Sequence, residues 1–231
     1  TYDFVLPGLL LDALGTASPG PLVQHLANLP NSRVTTLDCH DGIPIQPDLV
    51  GVLPEARLVD LTARLVASGA NVNRILGAEE RGIDFDAHQV NISYLDAAGG
   101  EDGLALARAV QLFSPGRPQV YYLGLRGGGN DERGVVETGE GRAINRTNYS
   151  IAGVRRALSS RITQRQRRVL EVRAEHPAFA AERPTVDQTG PSTLRIRWDS
   201  DVAWCELRVD LDTVTAELSM SPWGGLTPGL V

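Results

Sequence analysis

The hydrophobic period of this chain changes once, at His176-Pro177, and that change limits the folds open to it. Beyond the break, residues 192–198, 202–209 and 213–220 alternate apolar with polar side chains, as strands with one buried face do. Turns at Asp199-Ser200-Asp201 and Asp210-Leu211-Asp212 would join them into a small antiparallel sheet. Before the break, apolar residues recur at helical spacing over 9–14, 21–29, 55–68, 103–113, 150–158 and 162–175, with Ser150 placed as an N-cap. Two short apolar runs, 33–39 and 118–124, read as buried strands between those helices. Strands joined through a helix cross over, so these two are expected to be parallel neighbours. The segment 90–95 fits a short strand or a helical turn, and 44–54 is a Pro-rich loop. Residues 71–86 have no clean period and read as a long loop, of the kind that is usually functional in a compact domain.

Composition excludes several classes of function. The net charge is −6, which opposes non-specific binding to nucleic acid. All 22 basic residues are arginines, which reads as coding bias; the cluster over 161–173 reads as a solvated helix face alongside Glu171 and Glu175. Cys39 and Cys205 fall in different elements without metal-ligand spacing, so no disulfide framework, no metal and a reducing cytoplasm are expected. No stretch of these residues reads as a signal peptide or approaches a run of about 18 apolar residues, so no membrane partner is expected. The tandem Gly127-Gly128-Gly129 lacks the Gly-Lys-Ser/Thr ending of a phosphate loop, and no cofactor is expected.

Chemistry concentrates at one strand end. The run 33–39 passes abruptly into Cys39-His40-Asp41-Gly42. An imidazole and a carboxylate in consecutive positions, followed by Gly, suit a site at the carboxyl end of a parallel strand. They also suit a polar cap on a strand end beside a glycine turn.

Asp38-Cys39-His40-Asp41-Gly42 resembles the last catalytic motif of the α-amylase superfamily, glycoside hydrolase family 13, in which a His-Asp pair follows barrel strand seven. Other segments resemble one branch, the sucrose phosphorylase and sucrose 6-phosphate phosphorylase group. They are Tyr2-Asp3-Phe4-Val5-Leu6-Pro7, Gln89-Val90-Asn91, Ala107-Arg108-Ala109-Val110-Gln111-Leu112-Phe113, Pro115-Gly116-Arg117-Pro118-Gln119-Val120-Tyr121-Tyr122 and Gly141-Arg142-Ala143-Ile144-Asn145-Arg146. They follow in that group's order over residues 1 to about 180. The resemblance implies an α/β fold. Residues 1–178 would be the carboxyl-terminal part of a (β/α)8 TIM barrel, and 179–231 a small antiparallel β domain. It also implies that the Asp nucleophile and the Glu acid/base lie on earlier barrel strands. The chain opens inside a motif and its only Met is Met220, so it is expected to be the carboxyl-terminal portion of a longer enzyme, inactive without the amino-terminal barrel portion.

The implied activity is that of a retaining α-glucoside phosphorylase, passing glucosyl from sucrose or sucrose 6-phosphate to inorganic phosphate and releasing fructose or fructose 6-phosphate. The resemblance makes Asp41 the transition-state stabiliser, with His40 bonding sugar hydroxyls and Arg142 closing the glucosyl pocket. Ala143 stands where the group often has Asp. Asp86, His88 and Gln89 would bind substrate on a loop that serves the acceptor. There the group commonly reads Leu-Asp-Leu-Tyr-Gln, while this chain has Ala87 and His88. A histidine beside a phosphate can carry charge and donate two hydrogen bonds, which a tyrosine cannot. A homodimer is compatible with the reading. The alternatives are an α-glucosidase or transglycosidase, a glucosylglycerate phosphorylase, and a non-catalytic fragment.

Overall fold

Tyr2–Asp3 (β1) opens a parallel sheet in a computed structural model that describes residues 1–46, 48–74 and 87–231. The chain then runs through α1 (Leu6–Thr16) and α2 (Gly20–Asn28) to β2 (Val34–Thr35). Pro7 sits in the first turn of α1, where a missing N–H costs nothing, and Ala17 ends that helix in the left-handed conformation, at φ 50°. After β2 come β3 (Ile43–Pro44), α3 (Glu55–Ala67), β4 (Asn71–Arg74) and β5 (Ala87–Asn91). Next are the short α4 (Tyr94–Ala97), α5 (Glu101–Phe113) and β6 (Arg117–Pro118). β1, β2 and β6 form one sheet in that order, with Val34 opposite both Tyr2 and Arg117. Both pairings are parallel, and α5 is buried from Gly103 to Phe113 along the crossover from β2 to β6.

The strand expected over 33–39 is confined to Val34–Thr35, and the one over 118–124 to Arg117–Pro118. Tyr122–Leu125 is a helical turn, α6, instead. A short apolar run fits a buried strand or a buried turn equally well, and tertiary contacts decide between them. Part of the loop expected over 71–86 is β4; residues 75–86 lie outside the described residues. β3, β5 and β4 form a small antiparallel sheet, so 87–91 is strand and the expected element at 90–95 splits into β5 and α4.

The chain continues through α7 (Glu132–Thr138), a 3-10 turn at Gly141–Asn145, α8 (Ile151–Leu158) and α9 (Arg161–Glu175). Ser150 Oγ accepts the Gly153 N–H at the start of α8, and Ser160 Oγ accepts the Thr163 N–H at the start of α9. The arginines of α9 are not one solvated face. Arg165 and Arg168 bond the carbonyls of Val231 and Thr227, and Arg173 lies over the adjacent rings of Phe179 and Trp198, 4.6 and 4.8 Å from their centroids.

β7 (Thr185–Gln188), β8 (Thr193–Asp199), β9 (Trp204–Asp210), β10 (Thr215–Met220) and β11 (Gly229–Leu230) make an antiparallel sheet in the order β11-β10-β9-β8-β7. Leu194, Ile196 and Trp198 of β8, and Ala216, Leu218 and Met220 of β10, face the core by the expected alternation. The Trp198 indole N–H donates to the Phe113 carbonyl at 2.8 Å, fastening this sheet to the carboxyl end of α5. One apolar core runs continuously from α1 to β10. Among the described residues no helix is long and apolar enough to cross a membrane.

Candidate active site

The carboxyl ends of β1 and β2 open onto a cleft of about 340 Å³. Its lining includes Asp38, His40, Asp41, His88, Gln89 and Asn145. A larger, shallower hollow of about 750 Å³ lies between residues 177–183 and 199–202. The smaller cleft is the candidate, because ligands of parallel α/β sheets bind beyond the carboxyl ends of the strands.

Asp41 is the centre of the arrangement. Arg142 Nη1 reaches its Oδ1 at 3.2 Å, Arg146 Nη2 approaches the same oxygen at 3.7 Å, and His40 Nε2 lies 3.4 Å from Oδ2. Its side chain is 42% exposed and that of Arg142 49%, so these pairs stabilise the chain by no more than about 1 kcal/mol each. Their effect is to fix where the carboxylate points. The backbone carrying Asp41 is held too. Asn145, almost fully buried, donates Nδ2 to the carbonyls of Cys39 and Asp41 at 3.0 and 2.9 Å, and Arg146 Nε donates to the His40 carbonyl at 2.7 Å. The 3-10 turn at Gly141–Asn145 therefore clamps the loop that follows β2 from outside.

Gly42 is needed for close packing. A Cβ there would stand 2.7 Å from both Asn91 Oδ1 and the Val90 carbonyl oxygen, so the loop could not lie against β5. That contact brings β5 into the cleft. The Ile45 and Gln46 N–H groups donate to the His88 carbonyl at 3.0 and 3.1 Å, and the exposed His88 ring lines the cleft beside Gln89.

The structure thus brings His40, Asp41, His88 and Gln89 to one cleft, with Arg142 joined to it through Asp41. Asp86 lies outside the described residues. Sequence reasoning assigned no role to Asp38, Asn145 or Arg146. Cys39 Sγ, a His40 ring nitrogen and an Asp41 oxygen lie within 4.8 Å of one another, the reach of a metal chelate. Two guanidinium groups already occupy the Asp41 side of that cluster and oppose a further cation there. Burial, opposed in part by the Asp41 backbone, pushes the Cys39 thiol up, which also disfavours the thiolate a metal would need.

The fold defined by these elements is α/β: the carboxyl-terminal strands and helices of a (β/α)8 barrel, followed by a small antiparallel sheet. No protein-family model matches the chain. It is 39% identical over 214 residues to a sucrose 6(F)-phosphate phosphorylase of Thermoanaerobacterium thermosaccharolyticum, a match covering 92% of the chain and 44% of that protein. It is 34% identical to a sucrose phosphorylase of Agrobacterium vitis, covering 95% of the chain and 46% of the relative. A crystal structure of sucrose 6F-phosphate phosphorylase from Thermoanaerobacter thermosaccharolyticum superposes on all of the chain with a TM-score of 0.93 at 36% identity, covering 47% of that structure. The chain belongs to the sucrose phosphorylase and sucrose 6-phosphate phosphorylase family of glucoside phosphorylases, and it matches the carboxyl-terminal portion of its members. It spans less than half the length of these relatives.

Proposed function

We propose that the chain is the carboxyl-terminal part of a retaining α-glucoside phosphorylase that moves glucosyl from sucrose or sucrose 6-phosphate to inorganic phosphate. In the first half-reaction a nucleophilic carboxylate bonds the anomeric carbon while the acid/base protonates the departing fructose or fructose 6-phosphate. In the second, a phosphate oxygen attacks the same carbon and releases α-glucose 1-phosphate with retained configuration. The nucleophile and the acid/base would come from barrel strands outside residues 1–231, so the chain by itself would not turn over. Its own contribution would be Asp41, a fixed carboxylate facing the positive charge that develops on the ring. His40 and Arg142 would hold sugar hydroxyls around it. A cytoplasmic location suits two free cysteines, and a homodimer remains compatible.

The observation that carries this reading is the geometry around Asp41, a carboxylate at the carboxyl end of a parallel strand, held between Arg142 and Arg146 at the mouth of a cleft. The acceptor is read from His88, whose exposed ring lines the same cleft beside Gln89; Asp86 is placed with them by the resemblance alone. An imidazole suits an acceptor phosphate, so the preferred acceptor in the synthetic direction would be fructose 6-phosphate. The test measures kcat/KM for fructose and fructose 6-phosphate in the enzyme containing this chain and in its His88→Tyr variant. The variant should shift the ratio toward fructose by about tenfold to a hundredfold, the worth of one charged hydrogen bond of about 1.5–3 kcal/mol. An unchanged ratio removes His88 from acceptor recognition. Release of free glucose at full rate without phosphate would favour a hydrolase or transglycosidase.

A further inference from the structure

The parallel strands β2 and β6 are two residues long, and their ladder continues only as far as the Gln119 N–H, which donates to the Thr35 carbonyl at 2.8 Å. Side chains of α5 supply the rest of the connection. Gln111 Nε2 donates to the Thr35 and Gln119 carbonyls at 2.8 and 2.9 Å, bridging both strands. One turn earlier, the guanidinium of Arg108 is wholly buried. Its Nη2 donates to Asp38 Oδ1 at 3.0 Å, its Nε to Gln166 Oε1 at 3.0 Å, and its Nη1 to Gln111 Oε1. The other Asp38 oxygen accepts the Gly124 N–H at 3.0 Å, and Gln166 Nε2 returns from α9 to the Gly124 and Leu125 carbonyls at 3.0 and 3.1 Å. One cation therefore ties the residue three before Asp41 to the first turn after β6.

We infer that Arg108, acting through Asp38, is a positioning residue for Asp41; the assignment rests on the reading of Asp41 given above. Asp38 forms part of the cleft floor, and its carboxylate sets where the chain leaves β2. Asn145 holds the carbonyls of Cys39 and Asp41, and Arg146 that of His40 between them. With both ends of that short segment fixed, Asp41 has one place to be. A buried ion pair of this kind adds little net stability, because desolvation offsets most of the attraction. What it supplies is a unique arrangement: the planar fork bonds three acceptors from three nitrogens at fixed angles, a geometry that the single nitrogen of an ammonium does not reproduce.

Arg108→Lys retains the charge and loses the fork. Asp38→Asn combined with Arg108→Gln removes both charges together, so neither group is left buried and unpaired. In the active enzyme both variants should lower kcat for phosphorolysis, Arg108→Lys by about tenfold and the neutral pair by about a hundredfold, while KM stays within about threefold. A lowered melting temperature with wild-type kcat in both variants would make the pair structural only and overturn the inference. Amide exchange gives a readout independent of turnover. Residues 39–42 and Gly124 should exchange about tenfold faster in Arg108→Lys, with α9 unchanged. Wild-type exchange at 39–42 would overturn the positioning role whatever reaction the enzyme performs. Absence of phosphorolysis in the unsubstituted enzyme would overturn the functional reading alone.

Discussion

Asp41 draws its geometry from residues far away in sequence: Arg142 and Arg146 on its side chain, and Asn145 on its backbone. Replacing it with Asn keeps the shape and some hydrogen bonds but removes the charge. In the active enzyme Asp41→Asn should lower kcat by about a hundredfold to a thousandfold and leave KM for the glucosyl donor nearly unchanged, as expected of a group that acts on transition-state charge. Steady-state kinetics of the purified variant check this, and near-normal turnover would remove Asp41 from the chemistry. His40 and Asp41 were legible in the sequence because their polarity interrupts an apolar run at a strand end. Asn145 and Asp38 were not, since each matters through a partner about 70 to 100 residues away. Arg108 carried a usable signal: a charged residue placed among Ala, Val and Leu on a helix that is apolar nearly all round. Such a position calls for a buried counter-charge, which Asp38 provides.

The elements read best from sequence were those with a long, clean period. α3 buries Leu58, Leu61 and Leu65 at helical spacing, β8 and β10 alternate as strands with one covered face do, and β9 departs from that pattern at Glu206, which is buried against Arg197 and Arg208. Short elements were read less well. β6 and α6 share one apolar run, and it turns helical where Asp38 captures the Gly124 amide. β7 and α7 carry too few buried residues for a period to show. β9 makes its own prediction, because its Cys205 is fully buried and burial pushes the thiol up from 9.0 to about 12. The folded chain thus holds that proton more tightly than the unfolded one. The associated stability is intact below about pH 9 and is lost as pH rises toward about 12. Between about pH 8.5 and about pH 10.5 the unfolding free energy should fall by on the order of 2 kcal/mol more in the native chain than in Cys205→Ala. Urea unfolding of both proteins across that range measures the difference, and parallel pH curves would contradict it.

At the level of the whole chain, we propose residues 179–231 as a supporting β domain attached to the barrel portion at 1–178. The two share one apolar core and the Trp198 to Phe113 hydrogen bond, and Arg173 of α9 stacks against Phe179 and Trp198 while bonding the Gly116 carbonyl at 2.9 Å. Coupling of that kind makes independent melting costly. Residues 1–231 should therefore unfold in a single transition whether it is followed by near-ultraviolet dichroism or by tryptophan fluorescence. Two separated midpoints would show that the sheet folds by itself. The buried hub around Arg108 has a further consequence, for how such a chain can vary over generations. Arg108 and Gln111 of α5, Asp38, Gly124 and Gln166 come from four segments yet form one bonded unit, and a Cβ at position 124 would lie 2.3 Å from Asp38 Oδ2. Substitutions there should be epistatic, a change harmful by itself becoming tolerable only after a matching change elsewhere in the set. Libraries that randomise these five sites together should return rare, co-selected combinations, whereas single-site scans should return almost none.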